Sequence, residues 1–379
     1  MVSRRNIIEP YHLVLDWGPQ SGEDAPFIQR LWPAVLAGAR DGNGLKVTPE
    51  MLDNLLTACA RDCLNSRKRR DELVQAFTPM LEASADVQTA TGDFLEAVLQ
   101  YHVQHYESNG GVCRLGKFHN ILYVGASIAV EQNLQNADVI RELMETLYRC
   151  ENGLDRLVTP ALLGPKVSHL LSSWKPDTDS SEEARHRLQY FIDHARTSRL
   201  TFPQPGGNTT RLVDTPLATL QGASPLYVAA QAGDEDAVLL LLQNGATPLL
   251  GGELCPFKVA LRRLSAHARA TIGQMTPCDC PGQLCPCFFS YPIDYPPDAL
   301  GVLRLLLSAL GGWKLEWDTE VVHPRILCDK ILSDEPPSLK HWARYRIRSE
   351  LSSHWALPHG TRMLGLPESL VQYVDLNAN

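Results

Sequence analysis

The chain has 379 residues, 44% of them hydrophobic, and a formal net charge of −8 at pH 7. This acidic balance argues against nucleic acid or an anionic membrane as the main partner. The first residues lack the uninterrupted apolar run of a secretory signal, and Ala237–Leu242 and Leu300–Leu310 are too short or too interrupted to span a bilayer. We therefore expect an intracellular protein, in the cytoplasm or also in the nucleus, whose ten cysteines are mostly reduced.

Residues 1–110 are expected to form an N-terminal helical region without a visible repeat. Apolar residues recur at helical spacing in Pro49–Cys63 and in Phe94–Tyr106, which predicts two helices. Cys59 and Cys63 lie one turn apart in the first helix and are expected to face a core. A Ser-Asn-Gly-Gly sequence marks the break at the end of the region.

Residues 111–202 are expected to form helical pairs. The first pair covers 118–150, where two apolar helical patterns flank a polar turn at Asn133–Asn136. The second pair covers 165–199. Pro203–Asn208 is rich in proline and glycine, which predicts a linker.

The most specific pattern of the chain is Ser-Pro-Leu-Tyr-Val-Ala-Ala, at Ser224–Ala230. A serine can cap a helix, a proline is favoured at the first helical position, and paired alanines let a neighbouring helix approach closely. Glycines follow where the chain leaves each helix, a position that favours the left-handed conformation. The residues of this motif are Ser224, Pro225, Leu226, Ala229, Ala230, Gly233 and Gly245.

The motif resembles the opening of an ankyrin repeat, Thr-Pro-Leu-His-x-Ala-Ala, with Tyr227 in place of the histidine. A second, damaged copy starts at Pro256–Ala260, and its second helix is expected at Leu300–Leu310. The resemblance implies ankyrin repeats over residues 216–320, with a Cys/Pro-rich loop inserted at 265–297.

One or two ankyrin repeats cannot bury their hydrophobic faces, and about three or more are needed for a stable stack. The earlier helical pairs are therefore expected to be degenerate repeats or an equivalent cap. A general helical bundle is an equal alternative. The predicted fold class is all-α: a short ankyrin-repeat helical stack, preceded by a helical region and closed by a C-terminal helical element.

A short amphipathic helix is predicted in that C-terminal element. Pro336–Ser338 is a typical helix start, and Leu339, Ala343 and Ile347 follow at intervals of four residues. Leu351 extends this apolar stripe, which could serve as an interface or pack on the stack as a terminal cap. The basic residues of the helix are expected to form its solvated face: Lys340, Arg344, Arg346 and Arg348.

Together with the ankyrin-like repeat, residues 324–379 resemble a SOCS box, the adaptor-docking element of substrate receptors for elongin–cullin ubiquitin ligases. The order of elements resembles the ankyrin repeat and SOCS box protein family. Its elongin C-binding pattern implies docking by Leu339, Ala343 and Ile347, with alanine where the family has cysteine. Gly365 stands where the family has a proline, and the implied partner is cullin-5 more than cullin-2. The positions implied in cullin binding are Leu364, Leu366, Pro367, Leu370 and Tyr373.

The layout is also similar to that of the family of ankyrin repeat domain-containing protein nine. Both resemblances imply the substrate-recognition subunit of an elongin–cullin–RING E3 ubiquitin ligase. The repeats would recruit a protein substrate of unknown identity, and the SOCS box would recruit elongin C/elongin B and, through a cullin, a RING protein. The alternative is an ankyrin-repeat scaffold without a ligase partner. No nucleotide-binding, hydrolase or metalloprotease motif occurs, so we expect no catalytic residues and no cofactor.

Two groups of residues carry side chains that can bind metals. His102 and His105 could share one helix face, but no third ligand is suggested, and surface histidines are expected. Two C-x-C pairs flank a Pro-Gly turn, and four thiolates suit zinc, but ordinary zinc sites place two or more residues between paired cysteines. The spacing favours a reduced loop over a zinc site. These cysteines are Cys278, Cys280, Cys285 and Cys287.

Overall fold

The computed structural model describes residues 47–57, 59–250, 252–273, 293–311, 326 and 337–377. These residues are mostly helical, which confirms the predicted class at that level. No helix in the described part of the chain is long and apolar enough to cross a bilayer. The chain divides into a first unit, residues 1–64 and 68–128, and a second unit, residues 65–67 and 129–379.

The elements follow one another with short connections. The helices are α1 (Pro49–Thr57), α2 (Arg67–Glu82), α3 (Val87–Ser108), α4 (Lys117–Glu131), α5 (Ala137–Glu151), α6 (Asp155–Ser172), α7 (Ser181–Thr197), α8 (Pro225–Ala232), α9 (Glu235–Gln243), α10 (Pro256–Gly273), α11 (Pro297–Ala309), α12 (Leu339–Ser353) and α13 (Glu368–Val374). The strands are β1 (Thr201–Pro203) and β2 (Thr209–Arg211). Short 3-10 turns lie at Cys63–Asn65, Leu212–Asp214, Ala218–Leu220, Gly252–Leu254 and His359–Leu364.

Helices α1, α2, α3 and the start of α4 contribute to the apolar core of the first unit. The rings of Phe77 in α2 and Phe94 in α3 lie 4.9 Å apart. Helix α4 approaches α3 closely at Gly125, where an added Cβ would lie 2.8 Å from Leu95 Cδ1. The fully buried apolar side chains include Leu52, Leu56, Leu73, Phe77, Leu95, Val98, Tyr101, Ile121 and Leu122.

Helix α3 lies where it was predicted and is longer at both ends, but α1 is shorter than the predicted Pro49–Cys63. The buried Lys117 side chain donates to the carbonyl groups of Leu56 and Cys59. These hydrogen bonds give partners to backbone carbonyl groups at the end of α1. Cys59 and Cys63 consequently lie beyond the helix and are half-buried, so the expectation of one core-facing helical pair is wrong.

The second unit contains a row of helix pairs. Helices α6 and α7 pack together, as do α8 with α9 and α10 with α11. Helix α8 also packs on α6 and on α10, α9 packs on α11, and α5 packs on α7. Helices as short as α8 and α9 are marginal in isolation, so their stability comes from these contacts between neighbouring pairs.

Helices α4 and α5 lie where two helices were predicted within 118–150. The second pair was expected from residue 165, but α6 already starts at Asp155. Gly164, with φ of 77°, interrupts α6, because Pro165 disfavours helical geometry in the residue before it. The helix therefore continues on both sides of a kink at Gly164, and the start predicted at residue 165 is this kink.

Residues Pro203–Asn208, predicted to be a linker, belong to a β-hairpin instead. Strands β1 and β2 pair antiparallel, with Thr201 opposite Arg211 and Pro203 opposite Thr209. The Phe202 side chain is buried, and its ring lies 4.8 Å from that of Tyr148 in α5. A buried aromatic residue at this point anchors the hairpin to the preceding helices.

Helices α8 and α9 have the ends that their sequence predicts. The Ser224 hydroxyl accepts a hydrogen bond from the Tyr227 backbone N–H at 3.2 Å, and Pro225 opens the helix. Gly233 and Gly245 both adopt left-handed conformations, with φ of 78° and 87°. Leu226, Ala229 and Ala230 are fully buried, as close packing of helix pairs requires.

Candidate partner-binding surface of the C-terminal element

Helix α12 begins where the Pro-Pro-Ser sequence predicts. The Ser338 hydroxyl accepts a hydrogen bond from the His341 backbone N–H at 3.2 Å and so caps the helix. At the other end, Arg211 of β2 donates to the Ser352 carbonyl at 2.6 Å, while its guanidinium lies 4.3 Å from the ring centroid of Trp355. Both ends of α12 are thus defined by specific contacts.

The buried face of α12 is basic. Arg344 and Arg348 are only 4% and 6% exposed, so the expectation that they belong to the solvated face is wrong. Lys340 and Arg346 are exposed, as expected. The helix therefore places two of its three arginines, Arg344 and Arg348, inside the second unit.

These basic side chains meet the C-terminal ends of other helices. Arg348 donates to the carbonyl of Val374, the last residue of α13, at 2.9 Å, and to the carbonyl of Leu242 near the end of α9. The His341 ring N–H donates to the carbonyl of Leu310, directly after α11. Carbonyl groups at helix C-termini lack intrahelical partners and carry partial negative charge, so basic side chains suit this position better than apolar ones.

Tyr373 of α13 lies against the same basic face. Lys340 Nζ is 3.9 Å and Arg344 Cζ is 4.2 Å from the centroid of its ring, which are cation–π geometries. The tyrosine is buried. Of the residues implied in cullin binding, Tyr373 therefore faces α12 and not the solvent.

Burial of the arginines affects their protonation. Removal from water lowers the pKa of Arg348 to about 10, although Asp375 opposes this effect. The pKa of Arg344 is also lowered by burial. A pKa of about 10 leaves Arg348 charged at neutral pH, so it acts as a cationic cap on both helix ends.

The outer face of α12 is apolar in its first two turns. Leu339 is 88% exposed and Trp342 is 40% exposed, and Ala343 is exposed beside them. Ile347 is half-buried, and Leu351 packs close to Gly360, where an added Cβ would lie 3.0 Å from Leu351 Cδ2. We call Leu339, Trp342 and Ala343 the α12 outer face. The predicted stripe is therefore exposed at Leu339 and Ala343 and partly buried at Ile347 and Leu351.

A second set of exposed residues lies in the turn before α13 and in the first turn of α13. Met363 is 87% exposed, and Leu364 and Leu370 are 45% and 38% exposed. Pro367 is exposed and Leu366 is half-buried. Four of the five residues implied in cullin binding are thus accessible at least in part. Exposed apolar groups that cluster in this way mark interaction sites.

Gly365 has a backbone conformation that a proline could not take. Its φ of 65° ends the 3-10 turn that contains Leu364, and proline cannot adopt this angle. The local backbone therefore excludes proline at this position.

Sequence reasoning missed two features of this surface. Trp342 follows Leu339 by three residues, and the same helical spacing that selected the stripe could have identified it. The burial of Arg344 and Arg348 has no local sequence signal, because their carbonyl partners belong to other helices. The cluster of Cys278, Cys280, Cys285 and Cys287 lies outside the described residues.

Comparisons of the chain with protein-family models, curated proteins and solved structures found no match. The candidate surface is therefore defined by the residues of this chain and their geometry.

Proposed function

We propose that this chain is the substrate-recognition subunit of an elongin–cullin–RING ubiquitin ligase. In this proposal the row of helix pairs is an ankyrin-type stack that binds the substrate, and the C-terminal element is a SOCS box. The single observation that carries the proposal is the orientation of α12. This orientation leaves Leu339 and Ala343 of the adaptor-binding pattern exposed and buries Arg344 and Arg348.

Elongin C would contact the α12 outer face. Leu339 projects from the first turn as the principal anchor, Ala343 permits close approach, and Ile347 lies at the edge of the contact. A largely exposed leucine beside an exposed tryptophan is the kind of apolar group that supplies most of the energy of a protein interface. The buried arginines fix the helix, so little order has to be gained on binding.

The cullin would contact the segment between α12 and α13. Leu364, Leu366, Pro367 and Leu370 form this contact, while Tyr373 supports it from inside through its packing with Lys340 and Arg344. The receptor itself performs no bond chemistry. It raises the effective concentration of a substrate lysine near the charged conjugating enzyme.

Co-expression with elongin B and elongin C, followed by size-exclusion chromatography, tests the proposal. We expect a stable ternary complex with the wild-type chain. Leu339→Asp should weaken it about 30-fold or more, because loss of a hot-spot residue costs about 2 kcal/mol or more. Leu249→Asp is the matched control, since Leu249 is 55% exposed and lies outside the C-terminal element.

Ala343→Cys provides a test in the opposite direction. It restores the family residue, and the added contact area of about 1 kcal/mol should tighten the complex roughly fivefold. If the folded wild-type chain and Ala343→Cys both fail to bind, the ligase proposal is wrong and the interaction scaffold becomes the better interpretation.

A further inference from the structure

Three potential metal ligands of the first unit come together where α3 turns into α4. His102 lies near the end of α3, Cys113 lies in the connecting loop, and His119 lies in the first turn of α4. Their ligand atoms are all within 4.8 Å of one another. Both histidines are buried, with exposed fractions of 4% and 0%, and the cysteine is half-buried.

The loop geometry returns the thiol to the histidines. After α3, Gly110 and Gly111 adopt left-handed conformations, with φ of 70° and 76°, and the Gly111 N–H donates to the Tyr106 carbonyl at 3.0 Å. This ending reverses the chain. As a result, Cys113 Sγ lies 3.6 Å from His102 Nε2.

The separation of the donors suits one small cation. In a tetrahedral zinc site, the reported Zn–S and Zn–N bond lengths place sulfur and nitrogen ligands about 3.5 Å apart. The Cys113–His102 pair already has this separation, at 3.6 Å. The largest separation within the group, no more than 4.8 Å, requires only a contraction of side chains.

The donor types select the metal. Two imidazoles and a thiolate suit Zn²⁺, whereas Mg²⁺ and Ca²⁺ require oxygen ligands. We propose that His102, Cys113 and His119 bind a structural Zn²⁺ ion that holds the α3–α4 connection in place. The fourth position of the tetrahedral ion is left to water or to a further donor.

The expectation that His102 and His105 are surface histidines is wrong for His102, which is buried. The ring of His105 stacks on Phe118, with centroids 3.9 Å apart, and this histidine does not belong to the group. The partners of His102 are Cys113 and His119, which follow the break at Gly110 and Gly111. They do not lie on the helix face of His102, so helical spacing does not indicate them.

The same Cys113–His102 pair could alternatively act as a nucleophile and its base. Two observations favour the metal. A nucleophile needs one base, whereas the ligand atoms of two buried histidines both lie within 4.8 Å of the Cys113 thiol. A nucleophile also needs access to a substrate, which a buried histidine pair does not offer. The experiment below separates the two possibilities.

The test uses the full chain in which Cys278, Cys280, Cys285 and Cys287 are replaced by serine, so that these thiols cannot contribute metal. We expect about one zinc ion per chain by inductively coupled plasma mass spectrometry. Cys113→Ser should lower the zinc affinity at least about 100-fold, more than loss of a residue that only supports a ligand. The matched control is Cys59→Ser, a half-buried cysteine of the same unit whose thiol donates to the Leu55 carbonyl.

Thermal unfolding provides a second measurement that does not depend on metal retention during purification. A chelator should lower the Tm of the parent chain and of Cys59→Ser, and it should leave the Tm of Cys113→Ser unchanged. Replacement of zinc by Co²⁺ should give a sulfur-to-metal charge-transfer band that Cys113→Ser lacks.

Three results would overturn the proposal. One is a parent chain without zinc whose Tm does not rise when zinc is added. Another is a Cys113→Ser variant that keeps the zinc content of the parent. The third is a parent chain that contains stoichiometric copper in place of zinc. Because α12 lies outside this group, these results are independent of elongin binding.

Discussion

Helices α8 and α12 begin in the same way and bury opposite kinds of side chain. A serine caps each of them, Ser224 in α8 and Ser338 in α12. Helix α8 then buries a leucine and alanines, whereas α12 buries Arg344 and Arg348 and leaves Leu339 88% exposed. Amphipathic spacing therefore indicates which residues share a face of a helix, but it does not indicate which face is the interior.

The surroundings of the two helices account for this difference. Helix α8 lies between α6 and α10, so its neighbours are the sides of other helices, and apolar side chains fill that space. Helix α12 meets helix ends, where the Val374 carbonyl accepts from Arg348 and the Leu242 carbonyl accepts from Arg348 in addition to the Gly245 N–H. A guanidinium group satisfies both carbonyls, and the apolar residues of α12 are left for a partner.

The largest difference should come from placing a charge at a leucine in the first turn of each helix. Leu226→Asp should destabilise the chain by more than about 4 kcal/mol, because Leu226 is fully buried and the charge would be unpaired. Leu339→Asp should change the free energy of unfolding by less than about 0.5 kcal/mol, as is usual at exposed positions. Urea denaturation monitored by circular dichroism measures both variants.

This pair of variants can also refute the interpretation that the apolar face of α12 is exposed and its basic face is buried. If Leu339→Asp destabilises the chain by about 2 kcal/mol or more, as substitutions in a core do, then the α12 outer face is part of a core. The stripe would in that case be a terminal cap of the stack and would not be available to elongin C.

The second comparison concerns two arginines of α12 itself. Arg348→Met should destabilise the chain by about 1–3 kcal/mol, since it removes the donor of the buried Val374 carbonyl, whereas the Leu242 carbonyl keeps its bond from the Gly245 N–H. Arg346→Met removes the same charge from an exposed position and should cost less than about 0.5 kcal/mol. Equal values for the two variants would mean that the contacts of Arg348 with the helix ends contribute nothing measurable to stability.

Local signals in the sequence were reliable where a helix end depends on its own residues. Ser224 and Ser338 cap as predicted, and Gly233 adopts the predicted left-handed conformation. Signals failed where the decisive partner is distant. Arg348 is buried because of carbonyl groups on α9 and α13, and α1 ends early because Lys117 takes the carbonyls beyond it.

The candidate sites show the same division. The spacing of Leu339, Ala343 and Ile347 predicted one stripe, and the structure places the first and second of these in solvent. The group formed by Cys113 and the two buried histidines was not predicted, because its members belong to two helices and a loop. Only the reversal of the chain at Gly110 and Gly111 brings them together.

The smallest difference is expected between two glycines that end helical turns of these two regions. Gly233 and Gly365 have similar left-handed conformations, with φ of 78° and 65°. An added Cβ on Gly233 would overlap the guanidinium of Arg263 and the carboxylate of Asp298, which form a 2.9 Å ion pair between α10 and α11. An added Cβ on Gly365 would have no neighbour within 4 Å.

Alanine substitution at these positions separates backbone strain from packing. Gly365→Ala should cost about 1–2 kcal/mol, the strain of a left-handed alanine alone. Gly233→Ala should cost about 1 kcal/mol more, because the Arg263–Asp298 ion pair must also move. The difference should disappear in an Arg263→Ala background if displacement of that ion pair is its cause. Gly233 ends α8 inside a packed row of helices, whereas Gly365 is exposed. Only the substitution at Gly233 should therefore depend on neighbouring side chains.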